Sequence, residues 1–242
     1  MNTPQTPVAA DPPGAGLPND GLQRALLQTW FSPAFPIGGF AYSHGLEFAV
    51  ETGSICNRES LQMWLGDLLR YGSARTDAAI IAAVWRAMRR ESAQTVDEIA
   101  EFSAALQPSA ERYLEATTLG RCFMDAIAAA WPAPGLAIAS NIDPITCPVA
   151  TGIATAAHGL DLAPVLDAYI LAFISNLTSA AIRLGVIGHT DSQRIIAALL
   201  LEIEAAAAAA REAMLDTIGA CTFAADLASI LHETQYTRLF RT

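Results

Sequence analysis

The stretch SPAFPIGGFAYSHGLE, residues 32–47, brings together more potentially reactive residue types than any other part of the chain. It sets Ser43 beside His44, places Glu47 three positions on, and gathers Pro33, Pro36, Gly38, Gly39 and Gly45 around Phe35, Phe40 and Tyr42. A phosphate cradle would need a glycine-rich turn after a strand, with a lysine on the outer phosphates. Here G-x-G-x-x-G is missing, the preceding residues read as helix, and the chain contains no lysine. A Ser–His nucleophile would need the hydroxyl and imidazole to face each other. Neighbours at a helix start point about 100° apart, and AYSHG is not the G-x-S-x-G elbow.

Metal chemistry would draw on His44, His158, His189 and His232 and on Cys56, Cys122, Cys147 and Cys221. None of these is spaced i, i+4 on a helix or as C-x2–4-C, so no local ligand pair exists, and His44 is only a weak candidate for a set assembled in space. Paired carboxylates occur in DEIAEF and LEIEAA; Glu202 and Glu204 lie two apart on different helix faces and read as solvated charge, and neither segment looks like an acid/base couple. No catalytic residue, tightly bound cofactor or dedicated metal site is therefore expected. Prolines that restrict the chain, glycines that turn it and three aromatics leave two readings of residues 32–47, a wedge between helices or a docking surface. Arg183, set among apolar residues in SAAIRLG, is expected to pair with a carboxylate or cap backbone carbonyls.

The elements that would position these residues are helical. Leu22, Leu26, Leu27 and Trp30 share one face until Pro33 and Pro36 stop the pattern. A second helix is expected from near Ser43 to Gly53. Asn57 caps a third carrying Leu61, Trp64, Leu65, Leu68 and Leu69. A fourth follows over TDAAIIAAVWRAMRRES, residues 76–92, with Arg86, Arg89 and Arg90 suited to the negative end of the helix dipole. Further helices fall at about 95–106, 109–131, 148–158, 163–187 and 191–215, the last holding six consecutive alanines. The proline-rich interval 131–152 reads as a crossover between two helical halves. No period-2 pattern suggests a strand. The expectation is an all-α, single-domain bundle of roughly eight to ten helices over residues 21–242, preceded by a disordered Pro-rich tail at 1–20 that holds five of the thirteen prolines by residue 18.

Composition narrows the partners. Of 242 residues, 52% are hydrophobic and only 16% charged, against a usual charged share of about 25%. With so little charge, either a protein partner buries the apolar faces or Ala, Ser and Thr dominate the surface. A net charge of −10 makes nucleic acid a poor one. The N-terminus lacks the basic and apolar regions of a signal peptide, and Ala168–Ile182, the most apolar stretch, is shorter than a membrane span. A cytoplasmic protein without a membrane segment is expected.

Four segments in order resemble one family. FSPAFPIGGFAYSHGLEFAVETG with LQMWLGDLL resembles the opening of the urease accessory protein UreF, and ERYLEATTLGRCFM its central helix. The block from CPVATG through NLTSAAIRLG to GHTDSQRIIAALL, and the ending DLASILHETQYTRLFRT, resemble its two remaining signatures. Together they cover about residues 22–242, with the first twenty residues departing from the pattern.

The resemblance implies a non-catalytic scaffold in urease maturation. Such a protein would form a homodimer, bind a UreD/UreH-like accessory protein, recruit the nickel-carrying GTPase UreG and deliver nickel to the urease apoprotein, the nickel passing through the assembled complex. It further implies partner docking by a C-terminal tail of about 224–242, through Tyr236, Arg238, Leu239, Phe240 and Arg241, and by Pro36, Gly38, Gly39, Tyr42, Ser43, His44 and Glu47 of the opening loop. Two alternatives stay open. One is a regulator that lends an arginine, among Arg183, Arg194, Arg238 and Arg241, to GTP hydrolysis in trans; the other is a direct nickel metallochaperone.

Overall fold

The computed structural model describes residues 19–90 and 92–242, and all but the last two residues of the tail expected at 1–20 lie outside them. Ten α-helices and no strand occur among the described residues. The first, α1 (Asp20–Trp30), starts inside the expected tail, because the Asn19 side chain accepts from the Leu22 amide and caps it. After the proline loop come α2 (Leu46–Glu51), α3 (Arg58–Tyr71) and α4 (Ser73–Arg89). Asn57 and Ser60 close a reciprocal capping box at the start of α3. Helix α4 starts at Ser73, before the expected Thr76, because Gly72 alone separates it from α3.

Helices α5 (Ala93–Ala105) and α6 (Ala110–Ala130) lead into the crossover, which contains a 3-10 segment at Pro134–Asn141. Then follow α7 (Cys147–Ala157), α8 (Leu162–Arg183), α9 (His189–Glu212) and α10 (Phe223–His232). Residues 224–242 are therefore not all tail: a helix occupies the first part. Helix α8 stops short of the expected 187 because Gly185 turns the chain at φ 76°. Gly188 is the N-cap of α9.

The centre is built from α4 and α7. Residues 148–156 of α7 and 76–84 of α4 are buried without exception, so α7 and the middle of α4 are enclosed on all sides. Small residues set their spacing. A Cβ on Gly120 of α6 would come within 2.3 Å of the Ile145 carbonyl oxygen, so only glycine lets α6 lie against the start of α7. A continuous cluster of buried side chains runs from Leu27 on α1 to Phe240 near the chain's end. Helix α8, with 22 residues and a mean hydropathy of 1.6 over its most apolar window, is long and apolar enough to cross a membrane, unlike the shorter stretch read from the sequence. Here it packs in the core, burying Val165, Leu166, Ile170, Ile174 and Leu177 against its neighbours.

Candidate docking site

The opening loop and the C-terminal string, distant in sequence, form one structure. Gly38 takes the left-handed conformation, a 3-10 turn follows at Gly39–Ala41, and Tyr42 runs extended into the core. The helix expected from Ser43 is delayed to Leu46, because His44 (φ 60°) and Gly45 (φ 76°) both sit in the left-handed region. Gly45 is required twice over. Its φ suits glycine, and a Cβ there would meet the Ser229 amide nitrogen of α10 at 2.9 Å. With His44 outside any helix, the Ser43 hydroxyl and His44 imidazole are used separately. Ser43 donates its hydroxyl and its amide, the latter at 2.8 Å, to the Thr242 carbonyl. His44 points its ring nitrogens at Ser73 Oγ (2.6 Å) and Glu115 Oε1 (3.4 Å), and its ring lies edge-on to Phe173.

Glu47 is the clasp. Its carboxylate is buried and accepts from the Leu239 amide at 2.7 Å and the Phe240 amide at 2.9 Å. The Arg241 amide donates to the Ala41 carbonyl at 2.9 Å. Phe240 is buried beneath Arg183, whose guanidinium also donates to the Phe40 carbonyl; this is the carbonyl-capping role expected of Arg183. Tail and loop are thus joined by main-chain hydrogen bonds on both sides, with one aromatic anchor between.

Two charged clusters underlie this junction. In the first, His232 sits between Glu111 and Glu47, and Arg238 donates to Glu111 at 2.6 Å. In the second, Arg112 pairs with Glu115, which also accepts from the Thr242 hydroxyl at 2.7 Å. Burial, then the Arg112 charge, brings the His44 imidazole down to about 4, against the pull of Glu115. Burial alone would raise the Glu115 carboxyl, but Arg112 and then His44 outweigh it and hold it well below the usual carboxylate range. Nearby, burial pushes Asp77 up to about 6 even though Arg112 and the Tyr169 hydroxyl, which donates at 2.8 Å, act the other way. His44, Asp77 and Arg112 border a cavity of about 270 Å³ between α3, α4, α5, α6 and α10.

The residues expected to dock therefore divide. Tyr42, Ser43, His44, Glu47 and Phe240 are buried in the fold. Pro36, Arg238 and Arg241 are exposed, Gly38 and Gly39 half-buried, and Tyr236 and Leu239 are 102% and 63% exposed. Glu111, Arg112, Glu115 and His232 hold the site together; the first three were not singled out in the sequence, and His232 was considered there only for metal chemistry. Glu111 and Glu115 lie four apart at the start of ERYLEATTLGRCFM, so their shared helix face was the available signal. Among the other arginines considered, Arg194 pairs with Asp191 at 3.0 Å. No group of three or more His, Cys, Asp or Glu placed to hold a metal ion occurs among the described residues.

Helix α10 completes the surface with inverted amphipathicity. It buries Ala225, Ala228, Ser229 and His232 and exposes Phe223, Leu227, Ile230 and Leu231, with Phe223 79% exposed. The exposed residues recur at i, i+4, i+7 and i+8, one apolar stripe turned outward.

An all-helical chain whose buried polar residues secure its own tail, and whose terminal helix shows apolar side chains to the outside, has the build of an assembly protein. Comparison with known proteins gives the same class a name. A family model described as UreF matches residues 55–200. The urease accessory protein UreF of Xanthobacter autotrophicus is 47% identical over 236 residues, spanning 96% of this chain and 97% of that relative. Proteins of the same name from Rhodopseudomonas palustris (strain BisB5) and Bradyrhizobium diazoefficiens are 47% and 48% identical over 217 residues, in each case 89% of this chain and 89% and 90% of the relative. The chain belongs to the UreF family of urease accessory proteins.

Proposed function

We propose that this chain is a non-catalytic scaffold in the cytoplasmic maturation of urease. It acts as a homodimer, docks a UreD/UreH-like accessory protein through α10 and the adjoining tail, and recruits the nickel-carrying GTPase UreG, so that nickel reaches the urease apoprotein as cargo of the assembled complex. The observation that carries this reading is the outward apolar stripe of α10, continued by Tyr236 and Leu239 on a tail fixed in place by Glu47. Large apolar and aromatic side chains held rigid at a surface are the residue types that anchor interfaces, and pre-ordering them lowers the entropy cost of docking.

The test co-expresses the chain with a UreD-like protein and follows complex formation by size exclusion with light scattering. Tyr236→Ala, Leu227→Ala and Phe223→Ala truncate exposed side chains, so the variants are expected to fold as the parent does and to lose the hetero-complex. Folded variants that still bind as the parent does would overturn the assignment of this face.

A further inference from the structure

Among the described residues, His232 is the one imidazole with a carboxylate on each side. Its side chain is completely buried, with Nδ1 2.5 Å from Glu111 Oε2 and Nε2 3.2 Å from Glu47 Oε2. Neither carboxylate oxygen can donate while ionised, and a neutral imidazole carries one N–H only. Both contacts are hydrogen bonds only when the ring holds two protons. Charge balance points the same way: Glu47 and Glu111 contribute two negative charges, Arg238 one positive, and an imidazolium closes the set at zero. His232 and Glu47 are buried and Glu111 is nearly so, so a net charge left on the set would be costly even with Arg238 exposed at its edge. His44 makes the contrast, since its Nε2 faces a hydroxyl and its nearby carboxylate is already paired with Arg112.

We propose that His232 is a proton-operated latch for the C-terminal segment, holding residues 238–242 on the fold as an imidazolium and releasing them when it gives a proton to water. The coupling runs through Glu47, whose two oxygens hold the Leu239 and Phe240 amides as well as the ring. Loss of a proton leaves one N–H, which stays on the shorter contact to Glu111. The Nε2 lone pair then faces the Glu47 carboxylate, and repulsion displaces the oxygen that grips Phe240.

The charged groups around the ring are Glu47 from α2, Glu111 from α6 and Arg238 from the tail. Beyond them stand Arg112 and Glu115, paired with each other, then Asp226 on α10 itself and Glu233 bonded to the Ala110 amide. Of these, only Glu47 and Glu111 contact the ring. The latch is closed on the acid side and opens as pH rises.

The experiment uses the full chain without its partners. Nitrogen-15 NMR of labelled histidine reads the protons on each ring of the parent protein, and amide exchange at Leu239 and Phe240, corrected for the intrinsic dependence on pH, reads the tail. While the two amides are protected, both His232 nitrogens are expected to be protonated. As pH rises, one is lost, and protection of the two amides falls about tenfold or more over the same interval, the scale of one charge-assisted hydrogen bond. In His232→Gln the amides lose this pH dependence. Three results overturn the latch: a ring with one proton while the tail is fully protected, protection unchanged through the ring's titration, or a ring that keeps both protons until the whole chain unfolds.

Discussion

The guanidinium carbon of Arg183 lies 4.3 Å from the centre of the Phe240 ring. The arginine closes α8 and the phenylalanine belongs to the tail, so two segments read separately as motifs meet in a cation–π stack. The same guanidinium donates to the Phe40 carbonyl, tying the opening loop into the contact. An arginine so occupied serves first to fasten the tail.

Replacing Arg183 with alanine should therefore loosen the tail without disturbing the bundle. The lost stack and carbonyl bond together are worth about 1 to 2 kcal/mol locally. Hydrogen exchange should accelerate at Phe240 and Arg241, while the amides of α4 and α7 stay as protected as in the parent.

Neighbouring tail residues should differ sharply. Phe240→Ala empties a buried site and should cost about 3 kcal/mol, within the range for core aromatic truncations. Leu239→Ala removes an exposed side chain but keeps the amide that Glu47 holds, and should change stability by about 0.5 kcal/mol or less. Thermal or denaturant unfolding of both variants gives the comparison. Equal losses would mean that the tail does not pack as described.

Asp77 and His44 act on pH dependence with opposite sign. Asp77, at about 6 in the fold against an ordinary 3.8, takes up a proton on folding between those values, so it weakens the fold as pH rises through that interval. His44, at about 4 against 6.5, releases a proton on folding and strengthens the fold as pH rises over nearly the same range. Each masks the other. Asp77→Asn keeps an acceptor for the Tyr169 hydroxyl and removes one of the two, so its stability should climb more steeply than the parent's between pH 4 and 6.5, by on the order of 2 kcal/mol. Parallel curves for parent and variant would contradict this.

Breaking the Arg112–Glu115 pair should be costlier than removing it. Both side chains are buried, so Glu115→Gln strands a charge and should cost about 3 to 5 kcal/mol. The double variant Arg112→Met with Glu115→Leu removes both charges and should recover much of that loss, although Thr242 and His44 lose a partner. A double variant less stable than Glu115→Gln would show that the pair is worth more than its desolvation costs.

The helices were legible because their signals are local. Asn57 before RES and the stripe Leu61, Leu65, Leu68, Leu69 define α3 within a few residues. The site was less so, because what binds Glu47 is almost two hundred positions away, and no spacing rule relates them. The left-handed turn at His44–Gly45 was also hidden, since a bulky residue at positive φ has no sequence mark beyond the glycine after it. Helix α10 was absorbed into a tail for a related reason. Its apolar stripe faces outward, and the residues turned inward are Ala225, Ala228, Ser229 and His232, the reverse of the pattern by which buried faces are recognised.

The Glu47 clasp also sets an order of events at the ribosome. The carboxylate and the turn around it emerge early in translation, while the amides that satisfy them are added after every other helix has been made. Until then a buried acceptor lacks its donors, and the outward stripe of α10 has no fixed extension. The surface proposed for docking is therefore finished only in a chain translated through Phe240, so a prematurely terminated product would carry nearly all of the bundle and still present no completed face for assembly.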